Sequence, residues 1–293
     1  MNLIDFKFEI PAKTFLLGEY VALQGGPAII LTTTPCFEIG LTKKTNLSIH
    51  PDSPAGRFWQ ALNMKQQLRF YDPYGGIGGL GASSAEFLGA YLASLSIQHQ
   101  SLTESALLEA YWTFSLKANQ GMRPSGYDVL AQAQSGCVYL NRNQSDNKQY
   151  AWCFEDIAFV LLHTGQKLPT HEHLQNLYLT EAANLLSPIV DLGKKAFDTS
   201  NSALLIEAVN AYAKQLLALD LVAKHTQAQI NQLSQNPDVL AVKGCGALGA
   251  DVLFTLVPKT RLIESMARFS VDGFRVLASS DNLYTQKNQM ECI

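Results

Sequence analysis

The sequence predicts an α+β protein in which strands are followed by helices in each of two halves. Hydrophobic residues make up 47% of the 293-residue chain and charged residues 16%, which provides a buried core and argues against disorder. A chain of this length forms one large domain or two medium ones. Because a polar, turn-rich stretch at 141–149 separates the halves, we predict domains at 1–150 and 151–293.

The N-terminal half is predicted to begin with strands and to continue with helices. Residues 6–10 alternate in polarity and residues 27–34 are rich in Ile and Thr, so each predicts a strand, with a turn at 24–27 between them. The stretch 71–79 contains a proline and four glycines and cannot form regular structure. Helical spacing predicts helices at about 58–69, 84–95, 102–119 and 128–134, followed by a strand at 137–140.

The C-terminal half is predicted to open with a strand and to close with a helix and a strand. Apolar runs predict strands at 157–163, 239–243, 252–257 and 273–277. Helical spacing predicts helices at about 171–186, 201–217, 220–235 and 260–269.

The charge pattern and the cysteines argue against several classes of protein. The net charge is −3 and Lys and Arg form no cluster, so nothing indicates a nucleic-acid or anionic-membrane partner. The five cysteines are scattered without a CxxC pair, which is typical of reduced cytosolic thiols. The first residues lack the features of a signal peptide, and the longest apolar runs are too short to span a bilayer. We therefore expect a cytoplasmic protein, either a monomer or a homodimer.

The strongest chemical signal is a glycine- and serine-rich loop that leads into a predicted helix. The loop comprises Gly78, Gly79, Leu80, Gly81, Ala82, Ser83 and Ser84. Glycines let backbone N–H groups approach an anion, and a helix N-terminus adds about half a positive charge, so phosphate is the natural ligand. The hydroxyl groups of Ser83 and Ser84 can also reach phosphate or a metal ion. The alternative is a capping box, because Ser83 and Glu86 have the S-x-x-E spacing that closes a helix end.

The same loop also matches G-x-G-x-x-G at 76–81, the pattern of dinucleotide-binding proteins. That pattern requires a buried strand directly before it and an acidic residue about 20 positions later. Pro73 interrupts the preceding segment, and the nearest acidic residue is Glu104. An NAD-dependent oxidoreductase therefore remains only an outside alternative.

A second segment, residues 120–128, ends with Asp128 at the predicted start of a helix. One interpretation is a helix-capping Asp, which is common. The other is a carboxylate held beside a substrate hydroxyl, where it orients the nucleophile and takes its proton during phosphoryl transfer. From this segment alone, capping is favoured.

Two further segments place unusual residues in apolar or glycine-rich surroundings. Lys13 and Glu19 lie among apolar neighbours at 11–20, where a charge is costly unless it is paired or used. An exposed Lys is the simpler interpretation. Residues 243–251 form a glycine-rich turn between two predicted strands, which is either an ordinary β-turn or a place where a ligand approaches the backbone closely.

Four of these segments, in this order, resemble the motifs of the GHMP kinase superfamily, whose members phosphorylate galactose, homoserine, mevalonate and phosphomevalonate. Residues 11–20 with 26–28 resemble the first motif, and 79–85 the phosphate loop. Residues 124–128 resemble the catalytic segment, and 244–251 the closing glycine motif. The resemblance covers nearly the whole chain.

The resemblance implies a fold, cofactors and roles for individual residues. The N-terminal half is expected to be a ribosomal-S5-like, ATP-binding domain and the C-terminal half a ferredoxin-like domain. ATP and Mg²⁺ are the expected cofactors, with Asp128 as the catalytic carboxylate and Lys13 close to it. The loop from Gly78 to Ser84 is expected to bind ATP, with Ser83 near the metal ion. The residues expected to bind the substrate are Glu19, Tyr20, Ser125, Gly126, Gly246 and Ala247.

The chain also departs from the family pattern at three positions. Ala82 replaces the usual first Ser of the phosphate loop, and Leu248 replaces a Gly of the closing motif. Lys117 stands where mevalonate kinases carry a metal-binding Glu. Tyr20 is typical of phosphomevalonate kinases, whereas mevalonate kinases have His at that position.

The expected function is a kinase of the mevalonate pathway, which makes isoprenoid precursors, transferring the γ-phosphate of ATP to phosphomevalonate or mevalonate. The alternatives are a kinase of a sugar or of an amino-acid alcohol, a catalytically weak nucleotide-binding homologue, and the decarboxylase branch of the superfamily.

Overall fold

The computed structural model describes residues 7–42, 49–64, 66–116, 123–165 and 179–285. The chain forms two compact units. Within the described residues, the first unit contains 7–13 and the residues of 32–135, and the second contains 14–31 and the residues of 136–285. The first two strands therefore contribute residues to both units. The predicted domains at 1–150 and 151–293 stay a prediction.

The first sheet has five strands in the order β1-β2-β4-β5, and β3 also pairs with β2. In the first unit, Glu38–Thr42 of β2 pairs antiparallel with β3. In the second unit, Ala28–Leu31 of β2 pairs antiparallel with β4, and β4 pairs antiparallel with β5. The strands are β1 (Lys7–Leu17), β2 (Ala28–Thr42), β3 (Gln67–Tyr71), β4 (Cys137–Asn141) and β5 (Asp146–Tyr150).

The first unit has four helices within its described residues. They are α1 (Pro54–Ala61), α2 (Ala82–Gln98), α3 (Glu104–Ser115) and α4 (Tyr127–Gln132). The helix predicted at 58–69 is wrong at both ends. It begins at Pro54, because the Ser53 hydroxyl accepts a hydrogen bond from the N–H of Gly56 at 3.1 Å and proline suits the first helical position. Its predicted last residues belong to β3, where Leu68 is buried and Arg69 is exposed.

The second unit contains a four-stranded antiparallel sheet in the order β7-β8-β6-β9. Its strands are β6 (Ile157–His163), β7 (Ala241–Cys245), β8 (Val252–Pro258) and β9 (Arg275–Ser279). Its helices are α5 (Leu179–Thr199), α6 (Ser202–Ala218), α7 (Lys224–Leu233) and α8 (Leu262–Val271). The chain thus runs strand, helices, strand, strand, helix, strand, which is the ferredoxin-like order.

Short 3₁₀ turns connect several of these elements. They lie at Val21–Gln24, Arg142–Gln144, Ala247–Gly249, Lys259–Arg261 and Ser280–Asn282. Within the described part of the chain, no helix has the length and apolar character needed to cross a membrane.

Two sequence predictions in this unit are wrong. The polar stretch 141–149 is not only a connection, because Asp146–Tyr150 forms β5 and pairs with Cys137–Asn141 of β4. The helix predicted to end at 186 continues to Thr199, with Pro188 inside it. In both cases the hydrogen bonds and packing of the fold outweigh the local preference of the residues.

Candidate active site

The loop before α2 is held in shape by Asp72. Its two carboxylate oxygens accept hydrogen bonds from the backbone N–H groups of Tyr74 and Gly76, each at 2.8 Å. Tyr74 is buried, and its hydroxyl donates to the backbone carbonyl of Pro35 at 2.8 Å. Four glycines of the loop adopt a positive φ angle, at positions 75, 76, 79 and 81. The loop is therefore tied down at its start and shaped by glycine through to α2.

The helix α2 begins directly on this loop without a side-chain cap. Its N-cap is Gly81, with a left-handed φ of 82°, and no side chain accepts from the first turn. The capping-box interpretation is therefore wrong. The Ser84 hydroxyl donates to the Gly81 carbonyl at 3.0 Å, while Ser83 is exposed. The backbone N–H groups of a first helical turn have no partner within the helix, so this end of α2 suits an anion.

The strand before the loop also rules out the dinucleotide-binding interpretation of residues 76–81. That fold binds its ligand at the end of a parallel strand. Here β3 leads into the loop, and it pairs antiparallel with β2. The match to G-x-G-x-x-G is therefore coincidental.

Lys13 connects the loop to Asp128. Its backbone N–H donates to the carbonyl of Leu80 at 2.9 Å, and its Nζ lies 3.1 Å from Asp128 Oδ1. The Lys13 side chain is only 12% exposed, whereas that of Asp128 is 31% exposed. The Lys13 side chain is therefore largely enclosed, whereas the Asp128 carboxylate remains accessible to a ligand.

Gln132, on α4, binds both the strand that carries Lys13 and the glycine loop. Its side-chain Nε2 donates to the carbonyls of Pro11, at 2.8 Å, and Gly81, at 3.1 Å. A β-carbon at Gly81 would lie 3.0 Å from Gln132 Nε2 and 2.7 Å from Lys13 Cγ. Gln132 was not predicted from the sequence, because nothing in a lone Gln within a helix indicates such a role.

The start of α4 places Asp128 by backbone geometry. The N-cap is Gly126, with a φ of 79° and no side-chain cap, so the interpretation of Asp128 as a cap is wrong. A β-carbon at Gly126 would lie 2.3 Å from Leu108 Cδ2, so α3 packs closely against this turn. The Ser125 hydroxyl accepts from the N–H of Tyr127 at 3.2 Å. Burial raises the pKa of the Tyr111 hydroxyl, and the charge of Asp128 raises it further.

A cavity of about 460 Å³ lies in the same unit, between α1 and β3. Residues of both elements and of the turn between them line it, among them Trp59, Gln60, Asn63, Met64, Gln67 and Leu68. The Trp59 indole donates to the carbonyl of Gln66 at 2.7 Å, which fixes the ring. The side-chain oxygen of Gln67 is buried and has no hydrogen-bond partner in the described structure. This cavity was not predicted from the sequence, because its lining residues are spread over two elements and form no motif.

A buried charge cluster lies in the second unit. Lys243 Nζ is 2.9 Å from Glu19 Oε1, and their side chains are 0% and 5% exposed. The ammonium group also lies 3.5 Å from Cys245 Sγ and 5.5 Å from the centre of the Tyr212 ring. Burial opposes the charge on Lys243, but Cys245 and Glu19 outweigh it, so the pKa of Lys243 is raised. Burial likewise raises the pKa of Cys245, to about 11.

The closing glycine turn is attached to the same cluster through Tyr20. The Tyr20 hydroxyl accepts a hydrogen bond from the N–H of Leu248 at 2.9 Å, and Tyr20 is 2% exposed. Leu248 itself has a left-handed φ of 56°, and Gly246 one of 83°. A β-carbon at Gly244 would lie 2.6 Å from the Cα of Gly249, so the turn is tightly closed.

The structure therefore places the predicted residues in two groups. Lys13, Asp128, Ser125, Gly126 and the loop from Gly78 to Ser84 belong to the first unit. Glu19, Tyr20, Gly246 and Ala247 belong to the second, where the first two are buried and bonded to their own unit. Lys243 was not predicted as the partner of Glu19, although a charged residue within the apolar strand Ala241–Cys245 is a signal that a partner is needed.

Lys117, which stands where mevalonate kinases carry a metal-binding Glu, lies outside the described residues. Within the described parts of the chain, no group of three or more His, Cys, Asp or Glu residues can hold a metal ion.

Several solved structures with the same fold are described as kinases of small metabolites. Streptococcus pneumoniae phosphomevalonate kinase, in complex with phosphomevalonate and AMPPNP, matches with a TM-score of 0.76 and 18% identity, over 94% of this chain and 99% of that one. Methanococcus jannaschii mevalonate kinase gives 0.74 and 14%, over 97% and 100%. Lactococcus lactis galactokinase, complexed with galactose, gives 0.70 and 12%, over 92% of each chain. No family model and no curated sequence matches the chain. The chain shares the α+β fold of these proteins.

Proposed function

We propose that this chain, which has the GHMP kinase fold, is an ATP-dependent kinase that phosphorylates a hydroxyl group of a small metabolite. The observation that carries the proposal is the pairing of Lys13 with Asp128 at 3.1 Å, with Lys13 also bonded to the glycine loop through Leu80. An ordered loop, a cation and an accessible carboxylate are the groups that phosphoryl transfer requires.

The phosphates of ATP bind at the start of α2. Gly81 caps the helix without a side chain, and the exposed Ser83 follows in the first turn. The first-turn N–H groups and the helix dipole both favour an anion there. The absence of a side-chain cap in α2 is consistent with a ligand that satisfies these donors.

The adenine base binds in the cavity between α1 and β3. Its volume of about 460 Å³ is within the range of small-molecule pockets. Trp59 provides an aromatic wall, and the buried side-chain oxygen of Gln67 accepts a hydrogen bond from the exocyclic amine of adenine. The start of α1, which lies beside the cavity, contacts α2. The Ser53 side chain there hydrogen bonds to Glu86 of α2.

Asp128 and Lys13 carry out the chemistry. The Asp128 carboxylate orients the acceptor hydroxyl and takes its proton as the new O–P bond forms and ADP leaves. The Lys13 ammonium holds the carboxylate in place and stabilises the negative charge on the transferred phosphoryl group. The close packing of Gly81 and Gln132 around Lys13 fixes the position of the cation.

Mg²⁺ fits this site through a single side chain. The exposed Ser83 hydroxyl in the first turn of α2 would hold it together with phosphate oxygens, since Mg²⁺ keeps several of its waters. The ion would neutralise charge on the phosphates.

Phosphomevalonate or mevalonate is the acceptor we favour. Tyr20 and the segment ending at Asp128 resemble those of phosphomevalonate kinases, and two of the solved structures with this fold act on mevalonate or phosphomevalonate. Galactose and homoserine are the competing acceptors, since galactokinase has the same fold.

The test is ADP release from ATP and Mg²⁺ with phosphomevalonate, mevalonate, galactose and homoserine, each offered separately. We expect Asp128→Asn to lower turnover on the best acceptor by at least about 100-fold, because the proton acceptor is lost. The variant should keep its fold and its affinity for AMPPNP. Glu109→Gln, on the exposed face of α3, removes a carboxylate from the same unit and should leave turnover unchanged.

Two results would refute the proposal. The role of Asp128 fails if Asp128→Asn turns over like the unmodified protein. The kinase function fails if AMPPNP binds but none of the four alcohols supports ADP release, which would favour a nucleotide-binding homologue.

A further inference from the structure

The guanidinium group of Arg123 is fixed on an aromatic ring at the start of the segment that carries Asp128. Its central carbon lies 3.9 Å from the centre of the Trp112 ring. The Trp112 indole N–H donates to the carbonyl of Pro124, the next residue, at 2.9 Å. Arg123 and Pro124 are therefore both held against one side chain of α3, and the guanidinium is pre-positioned.

This cation has no counter-charge in the described part of the chain. Arg123 is exposed, and no described carboxylate forms an ion pair with it. The nearby carboxylate of Asp128 is paired with Lys13 instead. A stacked guanidinium keeps its in-plane N–H donors available, and their fork geometry matches a carboxylate or a phosphate.

The chain geometry keeps Arg123 close to the catalytic carboxylate. Arg123 and Asp128 are five positions apart, which limits the distance between their Cα atoms to about 17 Å even for an extended chain. The segment is not extended, because Gly126 turns with a φ of 79° and Trp112 would lie 3.3 Å from a β-carbon there. Arg123 and Asp128 therefore lie on one short, turned segment of the first unit.

We propose that Arg123, presented by Trp112, determines acceptor specificity by binding an anionic group of the phosphoryl acceptor. The proposal rests on the kinase function above and narrows it, since it selects hydroxy acids and phosphorylated alcohols over neutral sugars. Pre-positioning lowers the entropic cost of forming the contact, which is why the stack on Trp112 matters.

The test compares binding of phosphomevalonate, mevalonate and galactose by calorimetry for the unmodified protein and for Arg123→Met. Methionine keeps apolar contact with the indole but removes the charge. We expect Arg123→Met to weaken binding of the anionic acceptors about 10- to 100-fold, as expected for loss of a charge-assisted contact. Arg123→Lys should be intermediate, because it keeps the charge and loses the fork. Arg268→Met, which removes an exposed arginine of α8, should leave binding unchanged.

A kinetic measurement separates recognition from a general structural effect. In the ADP-release assay, Arg123→Met should raise KM for the anionic acceptor while kcat changes less than about threefold, as expected for lost uniform binding. Added salt should raise KM for the unmodified protein and have little effect on the variant.

The possible outcomes distinguish this proposal from the kinase function. If phosphomevalonate binds and Arg123→Met weakens it, the specificity role stands even where no ADP is released, and only the kinase function fails. If Arg123→Met binds anionic acceptors as tightly as the unmodified protein, or if galactose alone binds, the role of Arg123 is wrong while the kinase function can stand.

Discussion

At Gly81 a single methyl group would collide with the lysine that we place in catalysis. The added β-carbon would lie 2.7 Å from Lys13 Cγ and 3.0 Å from its Cε, and the backbone there has a φ of 82°. We expect Gly81→Ala to lower the free energy of unfolding by about 1–3 kcal/mol and to reduce turnover strongly, because Lys13 must move. Chemical denaturation and the ADP-release assay measure the two effects.

Gly75→Ala is the matched control for this substitution. Gly75 also has a positive φ, of 65°, but a β-carbon there would meet no atom within 4 Å. It should show the backbone strain of about 1 kcal/mol without the loss of turnover. Equal turnover in the two variants would contradict the role assigned to the packing around Lys13.

The buried oxygen of Gln67 provides a test of base recognition. Gln67→Leu removes the acceptor that we assign to the exocyclic amine of adenine, so KM for ATP should rise about 5- to 10-fold, the worth of one neutral hydrogen bond. KM for GTP should not rise, because guanine has a carbonyl at that position. Gln60→Leu, an exposed amide at the same cavity, is the control, and a parallel rise for both nucleotides in Gln67→Leu would contradict the assignment.

At the residue scale, the sequence could identify candidate site residues only where they lie in a recognisable motif. Lys13 and Asp128 lie in segments that, in this order, resemble the motifs of a kinase superfamily, and the structure brings the two side chains to 3.1 Å. Gln132 and Gln67 could not be predicted as site residues from the sequence. Their amides matter only because the fold places carbonyl groups next to Gln132 and a cavity next to Gln67. Lys243 lies between these cases, since a lysine in an apolar strand needs a partner but the sequence does not say which.

At the scale of elements, Glu86 links the second turn of α2 to the start of α1. Burial raises the pKa of the Glu86 carboxyl, while the Ser53 hydrogen bond and the charge of His50 lower it by less. The folded protein therefore binds the proton more tightly than the unfolded chain, and stability falls as the pH rises from the ordinary Glu pKa through the raised pKa of the folded state. Glu86→Gln should raise the unfolding temperature at pH 8 and have no such effect at pH 3.5.

Thermal unfolding at the two pH values measures this difference. Glu109→Gln makes the same chemical change at an exposed position of α3 and should shift the unfolding temperature at neither pH. A stabilisation by Glu86→Gln that is equal at both pH values would show that ionisation is not its cause.

Elements with strong local signals could be predicted, and those that depend on partners could not. The strand predicted at 157–163 is confirmed as β6, because a continuous apolar run by itself indicates a buried strand. The polar strand β5 forms because its backbone pairs with that of β4. Backbone pairing requires no particular side chains, so the sequence of β5 does not indicate a strand. The helix α5 passes through Pro188, where a local rule predicts an end.

At the scale of the whole molecule, one buried ion pair joins residues 224 positions apart. Lys243→Met leaves the carboxylate of Glu19 buried without its partner, so it should lower the free energy of unfolding by about 3–5 kcal/mol. The double variant with Glu19→Leu removes both charges and should recover most of that loss. Urea denaturation of the two single variants and the double variant measures the coupling.

Lys7→Met tests an exposed ion pair for comparison. Lys7 lies 2.8 Å from Glu38, but both side chains are well exposed, so we expect no measurable loss. If the effects of Lys243→Met and Glu19→Leu simply add, the buried pair is not coupled as the structure indicates.

This pair also shows that one compact unit of the chain combines residues far apart in sequence. Residues 14–31 precede the candidate loop in sequence, yet they form one compact unit with residues from 136 onward. Glu19 belongs to that unit through Lys243, and such pairing across the chain has no local pattern. The polarity of a stretch such as 141–149 is a local property, whereas the grouping of segments depends on long-range contacts.

The position of Trp59 has a practical consequence for optical measurements. Its indole lines the cavity between α1 and β3 and is only 8% exposed, so the dielectric surroundings of the ring depend on what fills that cavity. Indole fluorescence changes in wavelength and intensity with such surroundings, and Trp59 is one of three tryptophans in the chain. A titration followed by emission, with Trp59→Phe as the silent reference, would therefore report occupancy of the cavity in real time, without a coupling enzyme and before any phosphoryl group is transferred.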